Sequence, residues 1–507
     1  MEQFLNKRTV QMPKRMLNAH EECPISGEYV LPEYLSDIAA ILKCFAYPRM
    51  QSRQWSGDQL LIDGMTVIRV LYMDEERKCI RSLEFAQPFA CSIRGTMNID
   101  NAVEIRMTTK YINCRAVSPR RVEVRGAVEV SAQAECAVPW DVAVPQEREG
   151  FYALTEKVSV SVPRAMVDKV MTVNESLEFD RSLPPAEMLL GGDCCAVIKE
   201  CKLLTGKAIV KGNVYIHQLY TDTTEGTQTH CLDFVIPFSQ ILDVSDASEG
   251  VPYKASVQVL SDTERCAVGP DGENTVLEIT TKLLIQLQIY KSEEVEWLND
   301  AYHCHYPVTV RTEEREWMSL LSHRFEEMKL PLRLTVPLNR WQEIIDIWAL
   351  TADSDCSCGE GSAVLNGRLQ IIVIARDADG EIVCHESFED YTAEYACRGN
   401  AAEICPTVTE IRYRALEDAL NLEVSLCVDI CDCRRERRQL VTDIHVCEET
   451  PYPTQKVSAL LYYGEEGETI WDIARACHTS PQSVLSENEL NETTLRESQV
   501  LVVPIAY

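Results

Sequence analysis

Among nine histidines, the run His303-Cys304-His305 is the strongest candidate for metal or nucleophile chemistry. On a strand the two imidazoles share one face and Cys304 takes the other. Such a pair could seat a metal ion, but an exposed pair at a strand start is the plainer expectation. Cys356-x-Cys358 and Cys431-x-Cys433 bring thiols together, yet structural zinc sites usually space their cysteines by two to four residues. Vicinal Cys194-Cys195 follows Gly191-Gly192-Asp193 and could be a redox spot, but a buried loop thiol is the plainer expectation. Gly206-Lys207 lacks the upstream glycine and the hydroxyl residue of a phosphate-binding loop. The chain contains no G-x-S-x-G and no H-E-x-x-H. Its carboxylates are many, but spacing alone pairs no two of them as acid and base. The expectation is a chain with no catalytic residue, no metal and no cofactor, and with reduced thiols.

The elements that carry these residues are strands. Gly64 to Tyr72, GMTVIRVLY, returns as GNVYIHQLY from Gly212 to Tyr220, and more faintly as GRLQIIVIA from Gly367 to Ala375. Even offsets hold Thr66, Ile68, Val70 and Tyr72, then Val214, Ile216, Gln218 and Tyr220, then Leu369, Ile371, Val373 and Ala375. Odd offsets are more polar, as at Arg69, Asn213, His217, Arg368 and Gln370. This period of two predicts a half-buried strand, and a lone strand cannot bury its own face, so each copy implies a sheet. The glycines lie 148 and 155 residues apart, a domain length. Leu31-Pro32, Leu183-Pro184 and Val336-Pro337 keep step upstream, and LEFAQPFA (Leu83 to Ala90) matches LDFVIPFS (Leu232 to Ser239) downstream. In the third copy ESFEDYTA stands there without the proline.

The predicted organisation is three tandem β-sandwich-like repeats at 1–148, 149–300 and 301–446, a proline-containing linker at 447–458 and a small tail at 459–507. Each repeat closes with a hairpin: Val103 to Val117 with Arg120 to Glu135, Tyr253 to Asp262 with Val276 to Tyr290, and Glu410 to Asp418 with Ala419 to Cys431. GPDGEN (Gly269 to Asn274) is a turn signal. Val30 to Ala46 is expected to form a short helix through Ile38, Ile41 and Leu42. The fold class is mainly β.

Composition narrows the partners. The 507 residues carry 79 Asp and Glu against 49 Lys and Arg, a net charge of −30. That disfavours nucleic acid and an anionic membrane surface, both of which require a basic face. No apolar run reaches the length of a membrane span, and no apolar segment follows the basic residues of the first twenty. The expected location is the cytoplasm.

The tail has its own pattern. Ala459 to Tyr463 reads as a strand, and Thr469 then precedes Ile470, Ile473, Ala474 and Cys477 at helical spacing, with Asp472 three residues after it. Ser480-Pro481 opens a second helix, Asn488 ends it, and Val500 to Pro504 closes a β-α-α-β unit. Tyr463, the run Gly467-Glu468-Thr469-Ile470-Trp471-Asp472-Ile473-Ala474, Asn488-x-Leu490, and Gln499-x-Leu501 before Pro504 resemble a LysM domain. Ser498 stands where that family usually has glycine. The LPEYLSDIAAIL start, the G-x-V strand ending in Leu-Tyr and the Phe-x-x-Pro-Phe segment resemble the SPOCS domains of Firmicute spore proteins. Several such units followed by one LysM are the layout of spore coat morphogenetic proteins.

The resemblance implies a non-enzymatic scaffold at the forespore surface in the mother-cell cytoplasm. Its LysM domain would engage a coat-basement ATPase or another coat protein, or an N-acetylglucosamine glycan. The implied binding residues are Gly467, Glu468, Thr469, Ile470, Asn488, Leu490, Ser498 and Gln499. The tail carries eight acids (Glu465, Glu466, Glu468, Asp472, Glu487, Glu489, Glu492, Glu497) against Arg475 and Arg496, which suits a basic protein patch.

Overall fold

The computed structural model describes residues 4–75, 79–95, 103–223, 228–270, 272–336, 341–359, 361–416, 419–453 and 457–505. Pro337 of the third hydrophobic-Pro pair, Asp271 of GPDGEN, Glu417-Asp418 and linker residues 454–456 lie outside them.

Three successive units share one six-stranded plan. The first contains β1 (Leu5–Val30), β2 (Ile38–Ser56), β3 (Gln59–Asp74), β4 (Ile80–Arg94), β5 (Val103–Ser118) and β6 (Arg121–Pro145). Its two antiparallel sheets have the orders β1-β6-β5 and β2-β3-β4. The second unit, β7 (Phe151–Glu178), β8 (Ala186–Leu204), β9 (Lys207–Asp222), β10 (Thr229–Asp243), β11 (Tyr253–Ala267) and β12 (Val276–His303), forms sheets β11-β12-β7 and β10-β9-β8. The third, β13 (Val308–Leu334), β14 (Trp341–Cys358), β15 (Ser362–Asp377), β16 (Ile382–Ala396), β17 (Ala401–Ala415) and β18 (Leu420–Val446), forms β13-β18-β17 and β14-β15-β16. The closing hairpins are β5–β6, β11–β12 and β17–β18, as the alternation predicts.

The repeat strands β3, β9 and β15 are the central strands of their sheets. Ile68, Val70 and Tyr72 lie in the apolar core between the two sheets of the first unit. Val214, Ile216 and Tyr220 do the same in the second, and Leu369, Ile371 and Val373 in the third. The repeated glycine has a packing cause. Gly64, Gly212 and Gly367 pair directly with Phe89, Phe238 and Tyr391 on the next strand, and a β-carbon on any of these glycines would run into that ring. Tyr391 keeps the ring in the third unit although the proline of the motif is gone.

Two expectations change. Ile38, Ile41 and Leu42 are on strand β2, and no helix occurs among the described residues of the three units. Bulges between Ile38 and Ala40 and between Ile41 and Lys43 each add one residue to β2. Inward-facing Ile38, Ile41 and Cys44 are therefore three apart, which imitates a helical period. The same bulges recur in β8 at Ala186/Met188 and Leu189/Gly191, and in β14 at Trp341/Glu343 and Ile344/Asp346.

The second change is that the repeat strands are half-buried only over their first half, where Arg368 for instance is exposed; their later odd-offset residues face the other units. Leu71, Leu219, Ile372 and Ile374 join Phe45, Leu190 and Trp348 in one cluster fed by all three units. A second shared cluster joins the long outer strands, where Trp140 of β6, Trp297 of β12 and Trp317 of β13 meet edge to face. Between the units runs a polar seam. Glu104 of β5 binds Lys254 of β11 at 3.0 Å, and Lys254 binds Glu403 of β17 at 3.2 Å. Arg15 of β1 reaches both Glu135 and Glu403.

Glu264 of β11 lies on the seam between the first and second units. Burial, reinforced by Asp262, raises its carboxyl to about 7 from an ordinary 4.5, although Arg69 and Arg49 oppose the shift. A raised carboxylate favours the fold below the ordinary value, and that contribution is lost as pH climbs through 7. Glu264→Gln is therefore expected to stabilise the protein at pH 8 by about 1–3 kcal/mol and to leave it unchanged at pH 4. Melting curves at the two pH values check this, and an equal gain at both would remove the titration from the account.

Candidate functional site

The tail folds as β19 (Ala459–Gly464), α1 (Ile470–Ala476), α2 (Pro481–Glu487) and β20 (Gln499–Pro504). The Thr469 hydroxyl caps α1 by accepting the Asp472 amide at 3.1 Å, and Ser480 caps α2 ahead of Pro481. Strands β19 and β20 pair antiparallel, and Ile470, Ile473, Ala474, Val484, Leu501 and Val503 make the core.

Two loops lie side by side, 465–469 after β19 and 489–498 before β20. They are laced together. The Gly467 amide donates to the Leu495 carbonyl at 2.9 Å, the Leu495 amide to the Glu468 carbonyl at 2.9 Å, and the Ile470 amide to the Thr493 carbonyl at 2.8 Å. The Glu466 amide donates to the Ser498 hydroxyl at 3.2 Å. Gly467 has φ +86°, the left-handed turn that favours glycine.

The sequence-selected residues separate by what they touch. Gly467 and Ser498 are exposed on the paired loops. Thr469 caps its helix and bridges to Thr494. Glu468 turns its carboxylate back into its own loop, accepting the Tyr462 hydroxyl at 2.6 Å and the Glu465 amide at 3.1 Å. That carboxylate raises the Tyr462 phenol to about 12. Ile470 is buried at 1% exposure. The Asn488 side chain ties α2 to β20, donating to Val484 O and Val502 O and accepting the Val502 amide at 2.7 Å. Leu490 packs against the tail core, and Gln499 pairs with Gly464.

One face of the tail is occupied by the second unit, which sequence reasoning missed. Asp300 of β12 accepts the Trp471 indole N–H at 2.9 Å and Arg475 Nη1 at 2.7 Å. The Tyr302 hydroxyl donates to Thr479 O at 2.7 Å, and Tyr302 packs edge to face on Trp471. The linker is pinned as well: the Tyr452 amide donates to His305 O, and its ring stacks on His478 at 3.8 Å. The opposite face is open. Leu461 is 77% exposed, Tyr463 68% and Val500 58%. Tyr463 and Val500 are direct cross-strand partners, and exposed Glu465, Glu466 and Glu497 lie at the same end of the strand pair. ALLYY and VLVVP are apolar at successive positions, and that was the available signal for an apolar outer face.

The other sequence candidates have structural partners. His303 ends β12 rather than starting a strand, and its Nδ1 accepts the His305 amide at 3.0 Å. Burial and His305 lower its basicity. Cys304 belongs to the core under the tail. Cys194 and Cys195 are on strand β8 rather than in a loop, with Cys195 Sγ donating to Val408 O at 3.4 Å. Burial raises both thiols. Cys356 and Cys358 bring their sulfurs within 3.9 Å, unbonded. No helix among the described residues is long and apolar enough to cross a membrane.

Residues 185–263 match the family model described as SipL, SPOCS domain, and residues 465–504 match the LysM domain. The first match covers β8 to β10 and most of β11. No curated protein and no solved structure matches the chain. Both matching families are non-catalytic. The chain therefore combines a segment similar to the SPOCS domain of SipL with a LysM-like tail, a combination that suggests a link to sporulation.

Proposed function

We propose that this chain is a non-enzymatic, multivalent scaffold for spore coat assembly in the mother-cell cytoplasm at the forespore surface. Its LysM tail docks a coat morphogenetic protein, of which a coat-basement ATPase is the first candidate. The observation that carries this reading is the open face of the β19–β20 pair. Leu461, Tyr463 and Val500 present apolar surface beside Glu465, Glu466 and Glu497, a pattern suited to a partner with an apolar centre and a basic rim. Gly467 and Ser498 border this surface, while Glu468, Ile470 and Asn488 hold its shape. Three units joined in one chain add further faces, and linked weak contacts multiply avidity.

The LysM match favours a second reading, an N-acetylglucosamine glycan at the paired loops. Against it, the Gly467, Ile470 and Leu495 amides are already spent between the two loops. Full-length Tyr463→Ser and Glu466→Lys variants separate the two. Each is expected to weaken capture of the coat ATPase about tenfold or more, with the melting temperature within about 2 °C of wild type. Unchanged capture, together with chitin-oligomer shifts at 465–470 and 491–499, would decide for the glycan.

A further inference from the structure

The three units meet through repeated slots, and one slot has groups that the others lack. Between the first and second units, Arg69 of β3 lies against Gly191 and Gly192 of β8 and pairs with Glu84 of β4 at 2.8 Å. Glu84 is its direct cross-strand partner. The position matching Arg69 in the second unit is His217, five residues after its repeat glycine, and its cross-strand partner is Asp233. At the third junction Lys43 of the first unit binds Glu386 at 2.7 Å. Each slot thus sets a cationic or cationisable side chain against a carboxylate.

The His217 slot adds a second carboxylate and a thiol. The β14 bulge between Ile344 and Asp346 brings Asp346 to the slot, with Oδ2 at 2.8 Å from His217 Nε2. Asp233 Oδ1 lies 2.7 Å from His217 Nδ1. Cys231 Sγ lies 3.3 Å from Nδ1 and 3.7 Å from Nε2. One ligand atom from each of His217, Cys231 and Asp346 falls within 4.8 Å of the other two. Tetrahedral zinc, with bonds of about 2.0 Å to nitrogen and 2.3 Å to sulfur, separates two such donors by about 3.5 Å. The Cys231–His217 pair is already at that spacing, and Asp346 has to retreat by about 0.5 Å. The slot opens on a cavity of about 280 Å³ that Trp348 also lines. The Trp348 indole N–H is buried without a hydrogen-bond partner among the described residues.

The other cluster of this kind, His323, Asp429 and Cys431, is wired differently. There His323 Nδ1 accepts the Ala255 amide at 3.1 Å, so Nε2 must keep its proton for Asp429. In the His217 slot both ring nitrogens face carboxylates, Asp233 at Nδ1 and Asp346 at Nε2; a metal ion would replace the Nε2 proton and take Asp346 as a second ligand, while Asp233 keeps the Nδ1 proton and the ring orientation common to metal-bound histidines.

We propose that His217, Cys231 and Asp346 bind a late first-row divalent metal ion, zinc in the first instance, with Asp233 orienting the imidazole, and that this ion clamps the second unit to the third. Nitrogen and sulfur donors select such an ion over magnesium or calcium.

The test uses the full chain, stripped with chelator under reducing conditions and titrated with Co²⁺ and then Zn²⁺. The expected result is one ion per chain, a thiolate-to-cobalt charge-transfer band, and a higher melting temperature with the ion bound. Cys231→Ser is expected to remove the band, and Asp233→Asn to weaken affinity 10–100-fold. Cys431→Ser is expected to keep both band and stoichiometry. Bound cobalt without a thiolate band in wild type would overturn the site even if the variants fail to fold. Loss of the ion from Cys431→Ser, or its retention with the same affinity and band in Cys231→Ser, would overturn it too.

Discussion

Ile216→Asp is expected to unfold the second unit at temperatures where the wild type is fully native. Ile216 is 2% exposed on the central strand β9, between Cys194 of β8 and Phe234 of β10. Truncating such a side chain costs about 2–5 kcal/mol in lost packing. Placing an unpaired carboxylate there adds several kcal/mol more, because no basic partner lies in that apolar cluster. The sum is a large part of the stability of an ordinary domain. The damage should spread, since β9 also contributes Leu219 to the cluster shared by all three units. Val235→Asp is the control: it is on the neighbouring strand β10 with its side chain 55% exposed. Calorimetry and urea melts should show a drop of more than about 4 kcal/mol for the first variant and less than about 0.5 for the second. Similar melts for both would mean that the inward face of the repeat strand is misassigned.

Asp300→Ala is expected to release the tail without unfolding it. One carboxylate oxygen receives both the Trp471 indole and the Arg475 guanidinium. Hydrogen bonds to charged groups contribute about 1.5–3 kcal/mol each, and removing Asp300 leaves the Trp471 donor unmatched in a half-buried site. A loss of about 2–4 kcal/mol from docking follows. The tail core around Ile473, Val484 and Leu501 is its own, so its helices should persist. Nuclear relaxation is the measurement. Amides of Ile470 to Cys477 should take on faster tumbling than those of β12, while their chemical shifts stay folded. Tumbling identical to wild type would show that Tyr302 and the linker hold the tail by themselves.

How far the sequence could be read depended on how many residues a feature involves. The strand period, the hairpins and the caps at Thr469 and Ser480 are local, and they were legible. The β2 strand was not, because two bulges changed its inward period from two to three at Ile38, Ile41 and Cys44. The shared clusters were hidden for another reason. Leu71, Leu219 and Ile372 are strand residues like any others until three sheets meet. Arg69 and His217 looked like solvent-facing polar positions, yet both are inter-unit contacts. Glu468 reads as a surface charge in sequence because nothing nearby shows that Tyr462 and the Glu465 amide turn toward it. The Asp346 partner of His217 is 129 residues away, beyond any local pattern.

The C-terminal tail attaches to the middle unit, not to the one that immediately precedes it. Three near-equivalent units therefore carry a single foot, and the foot marks one of them. A body with three similar sides and no foot could settle on a surface in any of three orientations. This one arrives with its heading already set, so that whatever the tail grips, the other two units face fixed and different directions. Layers built from such a subunit would inherit a grain, and their growth along one direction would not mirror growth along the opposite one.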